Sequence, residues 1–208
     1  MEHVYFPISG VVSMLHVLED GESAEAAVTG REGMIGLSLF LGGGTTTGRA
    51  VVYCPGHAYR LPAEVMKSEL TRGSGLPDGI LRFTQAFLTQ MGQTGVCNRH
   101  HSIQQRLCRC LLLRLDRLSS DELQITQEQL AGILGVRRES VTEAAGNLRK
   151  TGVIAYRRGR IAVLDRPQLE QKVCECYRVV AGEYNRLLAH PGAAQRQPHR
   201  GRHVETHP

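Results

Sequence analysis

The chain has 208 residues, 41% hydrophobic and 22% charged, close to an average globular protein and unlike a collagen-like, mostly disordered or disulfide-scaffold chain. No run approaches the roughly 18 apolar residues that span a bilayer, and the opening MEHVYFPISG lacks the basic-then-apolar order of a signal peptide, so one or two cytoplasmic domains and no membrane partner are expected. Residues 1–75 carry 5 Lys/Arg against 8 Asp/Glu, whereas residues 76–208 carry 20 against 12, and that basic rear half suits a polyanion partner. Of the 25 basic residues 22 are arginine, the side chain suited to bidentate contact with phosphate or guanine, although a biased genome composition would give the same count.

Residues 3–62 read as short strands separated by turns. Val4–Phe6, Val11–Leu15, Ala24–Val28 and Arg49–Tyr53 favour β-structure, and Gly10, Gly30 and the Gly42–Gly44 run punctuate them. Asp20-Gly21 between two such runs is a hairpin signal. From Pro77 the period changes. Ile80, Phe83, Phe87, Met91 and Thr94 recur at three- and four-residue steps, predicting a long helix with one apolar face, and Pro77 suits its first turn. Ile103, Leu107, Leu111 and Leu115 predict a further helix after a break near His100–Ser102. Beyond about Ala189 the sequence loses apolar periodicity and reads as a disordered tail, 189–208.

The informative stretch is Ile125–Asp165. Thr126 and Gln129 form a capping box at the start of one short helix, Gly135 supplies the left-handed turn that ends it, and a second helix follows from Arg137. Val141, Ala144, Ala145 and Leu148 lie on the buried side of the second helix, with Arg138, Glu139, Thr142, Glu143, Gly146 and Arg149 opposite. Two helices joined by a Gly turn make a helix-turn-helix, whose second helix fits the major groove of DNA. Arg157, Arg158 and Arg160 then surround Gly159 at the tip of a hairpin, as in a phosphate-gripping wing.

These residues, together with His3–Pro7, Gly33-Met34-Ile35-Gly36 and Gly48–Val52 in the front half, resemble the bacterial Crp/Fnr transcription regulators, relatives of the cyclic-AMP receptor protein. The resemblance covers about residues 3–188. It implies an α+β fold: an incomplete β-roll sensor domain over 1–75, a long dimerisation helix and hinge over 76–101, and a winged helix-turn-helix over 102–188. It further implies a homodimer binding double-stranded DNA, with RNA polymerase as a further partner and an effector of unknown identity. The expected DNA-binding set is Thr126, Gln127, Arg137, Arg138, Glu139, Ser140, Thr142, Glu143, Arg149, Arg157, Arg158 and Arg160. The expected dimer contacts are Ile80, Phe83, Phe87, Met91 and Thr94, and the expected effector pocket contains Gly33, Met34, Arg49 and Ala50. An alternative is a ligand sensor or scaffold whose winged helix mainly contacts protein.

Three departures from the family pattern matter. Family members usually carry more chain ahead of the first matching residue, so the first strands of the roll are expected to be missing. Cyclic-AMP-binding members have a Glu where this chain has Met34 and an Arg-Ser pair where it has Gly48-Arg49, which argues against cyclic AMP. A base-contacting arginine of the recognition helix is replaced by Glu143. Glu143 could accept from cytosine N4 or be a solvated charge; with Glu139 one turn back, a positive partner or a base edge would relieve repulsion.

Six cysteines raise a metal or redox reading. Cys108/Cys110 and Cys174/Cys176 sit in predicted helices, where i and i+2 face apart. Structural thiols, no metal and no cofactor are therefore expected, with Cys97/His100/His101 the one cluster of metal-binding make-up. The chain contains no Gly-rich phosphate loop, His-Glu-x-x-His or Gly-x-Ser-x-Gly, so no enzyme is expected.

Overall fold

Alternating side chains in the first sixty residues build five strands: β1 (His3–Pro7), β2 (Val11–Val17), β3 (Ser23–Thr29), β4 (Arg49–Cys54) and β5 (Ala58–Pro62). The computed structural model describes residues 2–188; the expected tail lies outside them. β1 pairs with β5, and the order β3-β2-β4 makes a second antiparallel sheet; Tyr5 of β1 also bridges to Ile35 in the β3–β4 connection. Gly21 at φ +87 turns the β2–β3 hairpin, the conformation that the Asp20-Gly21 pair predicts.

β5 and the helix α1 (Ala63–Thr71), neither of them marked by periodicity, return the chain to the start of α2 (Leu76–His100). α2 has Pro77 in its first turn. Its stripe, however, does not face outward. Ile80, Phe83 and Thr94 are buried within the chain, and Phe87 and Met91 are partly covered. A Cβ on Gly33 would stand 2.2 Å from the Phe83 ring, so the roll approaches α2 closely only because residue 33 is glycine. Gln90 donates to Val28 O of β3 at 3.0 Å. The expected dimer stripe is thus a core face, because periodicity reports that a face is covered and not by what.

α3 (Ile103–Leu115) starts at a capping box, Ser102 with Gln105, and is buried on nearly every side. Leu107, Leu111 and Leu112 fill the core between the roll and the rear half, while arginines of this segment reach into both. Arg114, with no solvent exposure, bonds Ser13 at 3.0 Å and the Glu25 carboxylate. Burial pushes its guanidinium toward losing the proton; the Cys110 sulfur and Glu25 more than reverse that, so it stays charged. Arg117 pairs with Glu32 at 2.6 Å and lies over the Tyr184 ring. Arg106 donates to Leu134 O.

The rear half comprises β6 (Glu122–Gln124), α4 (Gln127–Leu134), α5 (Arg138–Lys150), β7 (Ile154–Arg157), β8 (Arg160–Val163), α6 (Arg166–Lys172) and α7 (Glu175–Leu188). Its sheet has the order β6-β8-β7. α7 packs back along α2. Among the described residues no helix is long and apolar enough to cross a membrane. The architecture is α+β: a β-roll, a long helix and a winged helix-turn-helix.

Candidate nucleic-acid interface

α4 is fixed at both ends by its own sequence. Thr126 Oγ1 accepts from the Gln129 amide at 3.1 Å, and Gln129 Oε1 accepts from the Thr126 amide at 2.8 Å, closing the capping box. Gly135 at φ +60 then ends the helix, and its amide donates to Ala131 O. A Cβ at this turn would stand 3.1 Å from Ala24 Cβ, so the turn rests directly on β3 of the roll.

α5 buries Val141, Ala144, Ala145 and Leu148 against α3 and α4, as expected from their spacing. That rotation leaves Arg138, Glu139, Thr142, Glu143 and Arg149 exposed, with Ser140 and Gly146 partly so. Lys150 joins the same outward stripe one turn beyond Gly146. Sequence reading missed it, although the spacing 139, 143, 146, 150 would have found it. Thr142 Oγ1 donates to Gln127 Oε1 at 2.8 Å and lies 3.0 Å from Arg138 O. Two residues of the expected DNA-binding set therefore hold each other in place across the two helices. Arg137 sits at the N-cap of α5 and is exposed.

The wing follows from a two-residue turn. Arg157 pairs with Arg160 in the β7–β8 ladder, and Arg158 (φ +49) and Gly159 (φ +76) both take left-handed backbone, as a tight hairpin with the native twist requires. A methyl at Gly159 would lie 3.5 Å from Thr126 Cγ2, so the tip stands beside the start of α4. Arg160 lies 3.5 Å from Glu122, and this exposed pair offsets part of its charge. Among the described residues Arg137, Arg138, Arg149, Arg157 and Arg158 form no ion pair, and neither do Glu139 and Glu143. The contrast with the arginines of α3, committed to internal partners, is plain. A polar helix face flanked by unpaired cations suits a partner carrying both phosphates and hydrogen-bonding edges.

The expected effector residues do not converge. Met34 is buried in the core and Gly33 abuts Phe83, while Arg49 is exposed at the start of β4. Only Ala50 lines a cavity, an open apolar groove of about 290 Å³ bounded by Tyr5, Val12, Ile35, Val52 and His57. Its walls carry no Arg or Lys for a cyclic phosphate.

The thiols divide into two kinds. Burial pushes Cys108 up to about 12 and Cys110 up to about 11, which keeps both protonated at neutral pH. Cys174, by contrast, lies in the break between α6 and α7 rather than in a helix, so it and Cys176 do not face apart. Both meet Cys97 and His101, not His100.

Comparison with known proteins agrees with this layout. Residues 1–72 match the cyclic nucleotide-binding domain, and residues 105–172 match the Crp-like helix-turn-helix domain. The chain is 25% identical over 181 residues to the global nitrogen regulator of Synechococcus elongatus, covering 82% of this chain and 81% of that one. The corresponding regulator of Nostoc is 25% identical over 172 residues, 78% of this chain and 77% of that one. Among solved structures, FixK2 from Bradyrhizobium japonicum superposes with a TM-score of 0.71 at 17% identity, over 83% of this chain and 88% of that one. A CRP/FNR-family regulator from Thermus thermophilus gives 0.66 at 21% identity, over 82% and 87%.

Proposed function

The chain belongs to the Crp/Fnr family of helix-turn-helix transcription regulators, and from that premise we propose that it acts as a homodimer reading specific DNA sites through α5 and gripping phosphates through the wing. The observation that carries this reading is the outward face of α5 beside a wing tip whose Arg157 and Arg158 form no ion pair among the described residues. Arg138, Glu139, Thr142 and Glu143 read base edges; Arg138 suits guanine, and Glu143 suits the N4 amine of cytosine. Gln127 positions Thr142, and Thr126, Ser140, Arg137, Arg149, Lys150, Arg157, Arg158 and Arg160 contact the backbone or neighbouring edges.

Subunits pair along the side of α2 opposite the roll. Leu81, Leu88 and Val96 are 65%, 56% and 51% exposed there. Gly92 and Gly95 share that side, and a Cβ at either would meet open space. Nothing among the described residues calls for glycine at these helical positions, where each costs about 1 kcal/mol relative to alanine. Close approach of a second α2 accounts for both. Such a parallel pair of helices would set two α5 helices about 34 Å apart, one turn of DNA.

The sensor does not respond to cyclic AMP, because the groove carries no Arg or Lys for the phosphate and Met34 is committed to the core. Fluorescence anisotropy with DNA fragments recovered by selection tests the DNA reading. Tight binding that falls steeply with salt and is lost on scrambling the site supports it; equal affinity for every sequence refutes it.

A further inference from the structure

We propose that Cys97, His101, Cys174 and Cys176 form a tetrahedral site for a single thiophilic divalent ion, zinc by its chemistry, which ties the end of α2 to the α6–α7 junction. The sequence separates these residues by more than seventy positions, and the fold brings them together: their ligand atoms all lie within 4.8 Å of one another. Cys97 and His101 stand one helical turn apart at the end of α2, and the His101 amide donates to Cys97 O at 3.1 Å. Cys174 and Cys176 come from the bend into α7.

Distances fit one ion rather than a cluster. An ion about 2.3 Å from sulfur and about 2.0 Å from nitrogen sets tetrahedral ligand atoms about 3.5–3.8 Å apart. Cys97 Sγ lies 3.6 Å from Cys174 Sγ, and Cys176 Sγ lies 3.5 Å from His101 Nδ1. His101 is also oriented as a ligand. Nδ1 faces the sulfurs while Nε2 lies 3.4 Å from Glu175 Oε1, the carboxylate–histidine arrangement that fixes a ligating tautomer. Three buried thiols could serve as small apolar side chains, but that role would not need an imidazole aimed at sulfur and braced by a carboxylate. These cysteines also form a cluster of their own, apart from the main core, with only Val173 packed against it. Three thiolates around a dication leave one negative charge, and the buried guanidiniums of Arg106 and Arg109 act electrostatically on Cys97 to offset it.

The position gives the ion a consequence. His101 is the last residue before the capping box of α3, where the long helix gives way to the DNA-reading half. An ion there fixes α7 to α2 and so the angle between the two halves. The site stands whether or not the chain binds DNA.

Tag-free protein purified under reducing conditions, analysed by elemental mass spectrometry and then loaded with Co²⁺, tests the site. About one zinc per subunit is expected, with a thiolate-to-cobalt charge-transfer band after exchange. Cys174→Ser should lose both, whereas Cys54→Ala should keep both. A histidine-only site would give no thiolate band and would overturn the proposal. Should Cys174→Ser fail to fold, titrating the unaltered protein with a mercurial must release the zinc in step with thiol modification. Less than a tenth of an equivalent of metal with no cobalt–thiolate band, zinc unaffected by thiol modification, iron with labile sulfide, or a disulfide among these cysteines as isolated would each overturn the proposal.

Discussion

Leu88→Asp separates the two candidate dimer faces of α2 in one experiment. Leu88 is 56% exposed, so covering it by a second α2 gains about half of the roughly 1.5–3 kcal/mol of a fully buried leucine. The residue occurs once in each subunit, so the dimer loses about 1.5–3 kcal/mol of apolar burial, before the cost of bringing two carboxylates together. At about 1.4 kcal/mol per tenfold, the dimer dissociation constant should rise about ten- to hundredfold from lost burial alone, and further from the paired carboxylates. The monomer fold should be untouched, since the side chain contributes little to the core. Phe83→Ala is the converse variant. Phe83 is nearly fully buried against Gly33, so its loss should cost about 3–5 kcal/mol of stability and leave the dimer constant of the folded protein unchanged. Sedimentation velocity over a concentration series, with thermal unfolding alongside, reads both quantities. A Leu88→Asp protein that dimerises like the unaltered chain would refute the seam.

Three further outcomes follow from the geometry. Arg138→Ala should cost about 1–3 kcal/mol at a single base pair and relax preference there, whereas Arg158→Gly, which suits the left-handed backbone at that position, should keep the fold, weaken binding to all sequences and lower the salt slope by about one; competition anisotropy with single-site DNA variants distinguishes the two. Glu25→Ala strands the fully buried guanidinium of Arg114 and should cost about 3–5 kcal/mol in urea unfolding, whereas Arg114→Met with Glu25→Gln should recover much of that loss. Cys110, whose ionisation burial pushes up to about 11 against the opposing charge of Arg114, should resist iodoacetamide at pH 8 in the native state and react once the chain is unfolded; rapid native alkylation would show that the α3 core opens.

Local signals carried far in this chain. Asp20-Gly21, the Thr126–Gln129 box, Gly135 and the Arg158-Gly159 turn each state their own backbone geometry, and the structure adopts it at all four. The buried side of α5 was equally plain, because four apolar residues at helical spacing leave one rotation open. What stayed hidden depended on partners distant in the chain. Ile80 and Phe83 advertise a covered face, but whether the roll or a second subunit covers it is decided by Gly33, nearly fifty positions away. The real outward side of α2 is written in Leu81, Leu88, Gly92 and Gly95, where glycine masks any apolar stripe. Cys174 escapes helical periodicity because it lies in the break between α6 and α7, where it meets Cys176, Cys97 and His101. The effector residues fail to converge for a related reason: Gly33-Met34 and Gly48-Arg49 can be located in sequence, but Met34 turns into the core and Arg49 is exposed.

The most direct test of the account is selection of binding sites from random duplex DNA with the purified protein, followed by sequencing of the retained pool. A dimer presenting two α5 helices about one turn apart should enrich an inverted repeat whose half-site centres are separated by about 10 base pairs, and the enrichment should vanish with the Leu88→Asp protein. A pool with no enriched sequence, or a lone half-site without symmetry retained equally by that variant, would contradict a dimeric reader of specific DNA.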